Sequence, residues 1–295
     1  MPKLRLALTA SALAAALAAC GTPSSTGPGT SIPVIGDSAF TVGPTLGQLT
    51  YATGINDSGT VVGVTVDLTN LQSGWQLKNG FLTYLTVPFP SSFNTAPQSV
   101  NDSGHVAGYY TLGNLYHAFY FDGTNYASFD YPAATATQAY GINAGGTIVG
   151  VYFPSGSGNG HAFKKVGGTF TNIDPPAITA AAALGINTLG DVVGEAIDGA
   201  GQHGYVWLHD AASPTEIVYA GVSQIIPYSI NDSGTVVGSC VVSGKAYGFI
   251  LQGTVLKLIL YPGSSATEAY SINNAGVIVG EYSTTAPFGF ELAKY

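Results

Sequence analysis

One motif is written six times along this chain, and that repetition constrains the fold more than any other feature. "GINDSGTVVG" starts at 54, "SVNDSGHVAG" at 99, "GINAGGTIVG" at 141, "GINTLGDVVG" at 185, "SINDSGTVVG" at 229 and "SINNAGVIVG" at 271. Their asparagines, Asn56, Asn101, Asn143, Asn187, Asn231 and Asn273, are spaced by 45, 42, 44, 44 and 42 residues. A period of that length is one four-stranded propeller blade.

The interior of a repeat supports this reading. Residues 136–176 break at glycine-rich and Asn-containing turns into "TQAYGIN", "TIVGVYF", "HAFKKV" and "TFTNID". The connections leave room for antiparallel pairing and none for crossover helices, so each repeat is a meander. The segment "TIVG" places apolar residues on consecutive positions, as a strand covered on both faces requires, and blades stacked face to face supply that cover. No long segment of 3.6-residue periodicity occurs; the alanine run at 180–183 falls, by register, in a loop and an inner strand.

Within the motif, Asn at the first turn position and Gly at the fourth suit a type I turn, the glycine accepting positive φ before the next strand. The two residues between them vary freely. A second glycine, at 63, 108, 150, 194, 238 and 280, falls inside a strand. There it is unfavourable unless something approaches closely or the strand bends, and twisting of a blade against its neighbour is the simplest reason.

The chain ends test ring closure. The last repeat stops at "FGFELAKY", after its third strand, whereas residues 37–44, "DSAFTVGP", match the fourth-strand pattern of "FLTYLTVP" at 81 and "NYASFDYP" at 125. Pairing that N-terminal strand with the last three protects the open edge. The expectation is an all-β, six-bladed β-propeller of four-stranded antiparallel blades over 37–295, closed by an N-terminal strand that completes the last blade.

The first residues, "MPKLRLALTASALAAALAAC", combine Lys3 and Arg5 with an uncharged, mostly apolar run from 6 to 19, the form of an export signal over 1–19. Fourteen residues at about 1.5 Å each reach roughly 21 Å, short of a ~30 Å hydrocarbon core. Leu17-Ala18-Ala19-Cys20 resembles the lipobox of bacterial lipoproteins, which implies lipid attachment at Cys20. Gly21 stands where inner-membrane retention signals place Asp, so the resemblance implies the outer membrane, with the chain facing the periplasm or the cell surface. Residues 20–36 read as a lipid-anchored flexible tether rich in Gly, Ser, Thr and Pro.

The third strands begin "HAF" at 117 and 161, with weaker forms "HGY" at 203, "YGF" at 247 and "FGF" at 288, and "SGW" at 73 in the first repeat. With the repeated "IN…G…VVG", the chain resembles the bacterial extracellular repeat proteins of the HAF family. That resemblance implies an exported protein and adds no chemistry.

Charge narrows the partners. Only 8% of residues are charged, and removal of the signal leaves six lysines against sixteen acids, a formal charge of −10. Phosphate backbones are held by lysine and arginine, so nucleic acid is excluded as a partner. With Cys20 lipidated, Cys240 has no partner and reads as a small buried hydrophobe.

Candidate sites are few. His117, His161 and His203 occupy one position in three successive repeats, but a third strand stands more than roughly 9.5 Å from the axis. Metal ligands converge on bonds of about 2 Å, so these histidines read as structural and no metal is expected. Asp57, Asp102 and Asp232 supply one acid per turn, too few for a calcium loop. Zincin, nucleophile-elbow, P-loop and CxxC motifs are absent from the sequence. Glu268 lies on the sixth inner strand, and Glu195 and Glu281 follow the strand glycines of repeats four and six, so no carboxylate pair is expected to be close. No catalytic residue and no cofactor are assigned.

Function then falls to the face carrying the longer loops, opposite the tight turns. Gln98, Gln138, Tyr140, Tyr228, Glu268 and Tyr270, on inner strands, are the residues expected to line its mouth, where tyrosines with amide and acid groups suit stacking on sugars. The alternative is that these tyrosines wedge between blades. The reading is a monomeric binding or scaffold module at the cell envelope for a glycan, peptide or protein ligand, touching the membrane through its anchor alone. The alternatives are a weakly marked carbohydrate-active hydrolase or lyase using Glu268, and a purely structural envelope protein.

Overall fold

Short β-prone segments punctuated by Gly, Asn and Asp turns can pair only with their sequence neighbours, and the chain does so throughout. The computed structural model describes residues 34–35, 40–42, 49–284 and 287–292. The expected signal peptide, the lipid attachment at Cys20 and the tether up to residue 33 lie outside the described residues.

Two short N-terminal strands, β1 (Val34–Ile35) and β2 (Phe40–Val42), precede the blades. Blade 1 holds β3 (Leu49–Ile55), β4 (Val61–Val66), β5 (Gln72–Lys78) and β6 (Phe81–Leu85). Blade 2 holds β7 (Ser92–Val100), β8 (Val106–Leu112), β9 (Leu115–Phe121) and β10 (Tyr126–Phe129). In blade 3 are β11 (Ala134–Ile142), β12 (Ile148–Pro154), β13 (His161–Val166) and β14 (Thr169–Asn172). Blade 4 follows with β15 (Ala180–Ile186), β16 (Val192–Ile197), β17 (Gln202–Trp207) and β18 (Thr215–Glu216). Blade 5 has β19 (Val222–Ile230), β20 (Val236–Val242), β21 (Lys245–Gln252) and β22 (Val255–Ile259), and blade 6 β23 (Ala266–Ile272), β24 (Ile278–Ser283) and β25 (Pro287–Leu292).

The fourth strand of blade 6 is β2, antiparallel to β25 with Phe40 opposite Leu292 and Val42 opposite Phe290. The ring therefore closes as the sequence predicts. One element is new: β1 runs parallel to β22, pairing Val34 with Leu258 and Ile35 with Ile259. The segment read as tether, up to residue 36, overlaps this strand at Val34 and Ile35. The alanine run is entirely strand and all four side chains are buried, Ala181 and Ala183 packing with Val149 and Ala162 of blade 3.

The motif is a local device repeated six times. Every inner strand carries a register irregularity at the same place, between Ala52 and Gly54, Pro97 and Ser99, Ala139 and Gly141, Ala183 and Gly185, Pro227 and Ser229, and Ala269 and Ser271. Such a bulge inserts one residue, bends the strand and re-aims its neighbours. Next to it, the strand glycine has no space for a side chain: a Cβ on Gly150 would lie 2.0 Å from the carbonyl oxygen of Gln138 and 2.8 Å from the ring of Phe163. The same carbonyl approach of 2.0–2.3 Å recurs at the other five. The expected cause, twist against a neighbouring blade, is therefore corrected. The glycine admits the carbonyl of its own bulged inner strand and, in every blade but the fourth, an aromatic from its own third strand. Those aromatics, Trp75, Phe119, Phe163, Phe249 and Phe290, are among the most deeply buried side chains.

The turn asparagines do more than cap. Each Oδ1 accepts the backbone N–H four residues on, as from Thr60 to Asn56 at 2.8 Å and from Thr147 to Asn143 at 3.0 Å. Each Nδ2 donates to the carbonyl oxygen of the equivalent asparagine in the next blade: Asn56 to Asn101, Asn101 to Asn143, Asn143 to Asn187, Asn187 to Asn231, Asn231 to Asn273 and Asn273 back to Asn56, at 2.9–3.2 Å. This is a closed circle of six side-chain hydrogen bonds, and the seam between blades 6 and 1 is fastened like any other. The fourth-position glycines, from Gly59 to Gly276, all have φ between 75° and 96°, the left-handed value the turn requires.

Candidate functional site: the axial cavity

Because each inner strand bulges at one level, the six extra residues, Thr53, Gln98, Tyr140, Leu184, Tyr228 and Tyr270, project toward the propeller axis. They line a central cavity of about 870 Å³, its open mouth included. Beside them stands a ring of cross-strand partners, of which Tyr51, Val64, Tyr109 and Glu281 also line the cavity: Tyr51 opposite Val64, Ala96 opposite Tyr109, Gln138 opposite Val151, Ala182 opposite Glu195, Ile226 opposite Ser239 and Glu268 opposite Glu281. Toward the tight-turn face its lining includes small residues, Ser99, Gly141, Gly185, Ser229 and Ser271. Ser99, Ser229 and Ser271 accept backbone N–H bonds from Ile142, Ile272 and Ile55 of adjacent blades.

Four of the six predicted site residues, Gln98, Tyr140, Tyr228 and Tyr270, line this cavity. Gln138 does not; it is buried at 2% exposure behind the wall. Glu268 is also buried, reached from the cavity through Tyr228, whose hydroxyl donates to Glu268 Oε2 at 3.1 Å and lies 3.0 Å from Ser239 Oγ. The expectation of an exposed platform at a mouth is corrected: Tyr140 and Tyr228 are buried, deep in the cavity, because the bulge turns them inward. They pack on one another's neighbours around the axis, Tyr109 edge-on to Tyr140 at 6.0 Å and Tyr228 tilted on Tyr270 at 5.3 Å.

The second correction concerns the acids. Antiparallel register makes Glu268 and Glu281 direct partners, so their side chains share a face with Cβ atoms roughly 4.5–5.5 Å apart. Sequence reading compared Glu281 with Glu195, one blade removed, and overlooked its partner within the same hairpin. Burial, then the Glu268 charge, push the Glu281 carboxyl well above the usual carboxylate range, and hydrogen bonding by Tyr270 opposes them. Burial raises Glu268 as well, offset by hydrogen bonds from Tyr228 and Tyr270. Two neighbouring buried carboxyls cannot both ionise at little cost, so the pair retains a proton. Oε2 of Glu281 is buried with no hydrogen-bond partner. Glu195, raised by burial, is engaged by Gln202, which in turn receives Gln224.

The other candidates fall into structural places. His117, His161 and His203 each hold an acid thirteen residues on, Asp130 at 2.8 Å, Asp174 at 2.7 Å and Glu216 at 2.7 Å, tying the third strand to the end of its own blade. No group of three or more His, Cys, Asp or Glu residues able to hold a metal occurs among the described residues. Asp57, Asp102 and Asp232 accept backbone N–H bonds from the preceding blade's turn: Asn274 at 2.7 Å, Asp57 at 2.8 Å and Thr188 at 2.8 Å. Cys240 is buried, and burial pushes its thiol up to about 12.

No family model and no curated protein sequence matches the chain. Among solved structures, it is similar to TolB from Acinetobacter baumannii, with a TM-score of 0.58 and 11% identity over 72% of this chain and 54% of that one. The chain therefore spans about half the length of that relative. Similar too are a putative TolB from Agrobacterium tumefaciens, with a TM-score of 0.58 and 8% identity over 84% and 91%, and a calcium-binding protein, regucalcin, from Agrobacterium tumefaciens strain C58, with a TM-score of 0.51 and 12% identity over 88% and 95%. At these identities the likeness shows the architecture alone: the chain is a six-bladed β-propeller.

Proposed function

We propose that this protein is an exported, lipid-anchored propeller of the HAF type that binds a ligand at the cell envelope in its axial cavity. The observation that carries the reading is the contrast in chemistry around the ring. At the bulge level six equivalent positions hold Thr, Gln, Tyr, Leu, Tyr and Tyr, although the fold asks of them only that they project inward. Buried tyrosine hydroxyls, the Gln98 amide and a carboxyl pair converge there, the mix of apolar walls and few polar groups that small-molecule sites use. The lipobox-like Cys20 supports the anchor, and the acid excess supports a neutral or cationic ligand. A glycan or a peptide satisfies that requirement. The test is an unbiased pull-down with the chain lacking residues 1–33. Specific retention of an envelope or extracellular component is expected, and retention of nothing would end the binding-module reading in favour of a structural envelope protein.

A second reading gains from the Glu268–Glu281 pair. Glycosidases work with two carboxyl groups about 5–10 Å apart, one raised and protonated and one ionised. A hydrolase or lyase acting on the retained glycan would lose turnover on Glu268→Gln. Unchanged turnover in that variant would remove the enzyme reading.

A further inference from the structure

We propose that the axial cavity takes a protonated amine, its ammonium group seated on Glu281 and Glu268 with its carbon skeleton against the tyrosines. This deepens the binding reading above and rests on it. Three observations converge. Glu281 lines the cavity at 3% exposure, and its Oε2 has no donor. An orphaned buried acceptor destabilises the fold, so a ligand that supplies a donor recovers that loss. Glu268, its cross-strand partner, already accepts Tyr228, which leaves Glu281 as the acceptor facing the cavity.

The second observation is sign. No lysine or histidine lines the cavity among the described residues. A neutral hydroxyl would fill the vacant acceptor yet leave the two carboxyls competing for charge. A cation removes that competition. The third is the wall: Tyr51, Tyr109, Tyr140, Tyr228 and Tyr270 surround the space, and aromatic rings attract organic cations. A bare metal ion fits less well, because hard cations want six or more oxygens.

The titratable groups facing the pair are Tyr51 on β3, Tyr228 on β19 and Tyr270 on β23, with Glu195 on β16 beyond Tyr228. Burial, followed by the neighbouring acids, raises all three tyrosines, so they stay neutral and the carboxyl pair is the group there that gives up a proton. Binding is then an exchange: the ammonium enters with its charge, the pair releases its retained proton to solvent, and both carboxylates remain ionised against it.

The test is isothermal titration of the full chain in detergent with matched probes, glucosamine against glucose and putrescine against 1,4-butanediol. The amine of at least one pair is expected to bind about tenfold or more tighter than its neutral analogue, since the charge supplies the added contact. Which amine binds separates an amino sugar from a linear amine. Affinity for putrescine, whose amines stay charged well above neutral pH, is expected to rise with pH until the folded pair has ionised, with a proton released to buffer, and Glu281→Gln is expected to abolish that rise and weaken binding about tenfold. Equal binding of amine and neutral analogue, no binding by either amine, or an affinity flat with pH in the wild type would overturn the assignment. Should the pull-down still recover a neutral component in that event, the binding reading stands and the ammonium assignment alone falls.

Discussion

Two rings encircle the same axis three residues apart in sequence, and they follow opposite rules. The turn ring, Asn56 through Asn273, is identical in all six blades, each side chain bonded within its own turn and to the next blade. The bulge ring, Thr53 through Tyr270, occupies equally equivalent backbone positions with four residue types. Both are axial, and both are held by the same hairpins. Where the backbone needs a specific hydrogen bond, one residue recurs; where it needs only an inward-pointing side chain, chemistry diverges. Recurrence in this molecule therefore marks the fold, and divergence at equivalent positions marks the place the proposal assigns to a ligand.

The sharpest way to break this comparison is at the strand glycines. Gly150→Ala puts a methyl group 2.0 Å from a backbone oxygen that the bulge holds in place. A loss of about 3 kcal/mol or more in urea unfolding is expected, as for overpacking with no room to relax. Next comes Asn143→Ala, which removes the partner of the half-buried Thr147 N–H and leaves the Asn187 carbonyl with the Gly190 N–H alone. A loss of about 1–3 kcal/mol is expected, and the same loss at any of the other five asparagines.

In the bulge-level cavity the sign reverses. Glu281→Gln removes a raised carboxyl that the folded state must hold protonated. For such a group stability is full below its unfolded value, about 4.3, and falls as pH climbs from there until the folded pair ionises. Wild-type stability is therefore expected to decline with pH above that value and the variant to decline less, becoming the more stable of the two near neutrality. Thermal unfolding across pH checks this. The smallest effect belongs to the rim: His117→Ala removes a partly exposed hydrogen bond with Asp130 and is expected to cost about 0.2–1 kcal/mol.

What was legible in the sequence follows the same division. The repeat period, the meander and the closing strand were readable because turn chemistry and alternation are local. The bulge was not, since one extra residue leaves no compositional trace; its only signal was the strand glycine, which marks the carbonyl facing it. The asparagine ring was half readable, its cap visible and its bond to the next blade hidden, because that bond depends on blade spacing. Tyr140, Tyr228, Tyr270 and Gln98 were placed on the right strands but too near the surface. Glu268 and Glu281, thirteen residues apart, become partners through hairpin register, and a register written from one strand to the next would have found them. β1 pairs far from its sequence neighbours, and Val34–Ile35 carries too little pattern to announce it.

The central claim, that the turn ring holds the propeller while the axial cavity is free to specialise, is tested most directly by urea unfolding of Asn143→Ala and Glu281→Gln side by side at neutral pH. Both replace a buried polar side chain on the axial side of a blade. The account predicts a loss of about 1–3 kcal/mol for the first and none, or a gain, for the second. Equal destabilisation by the two would contradict it.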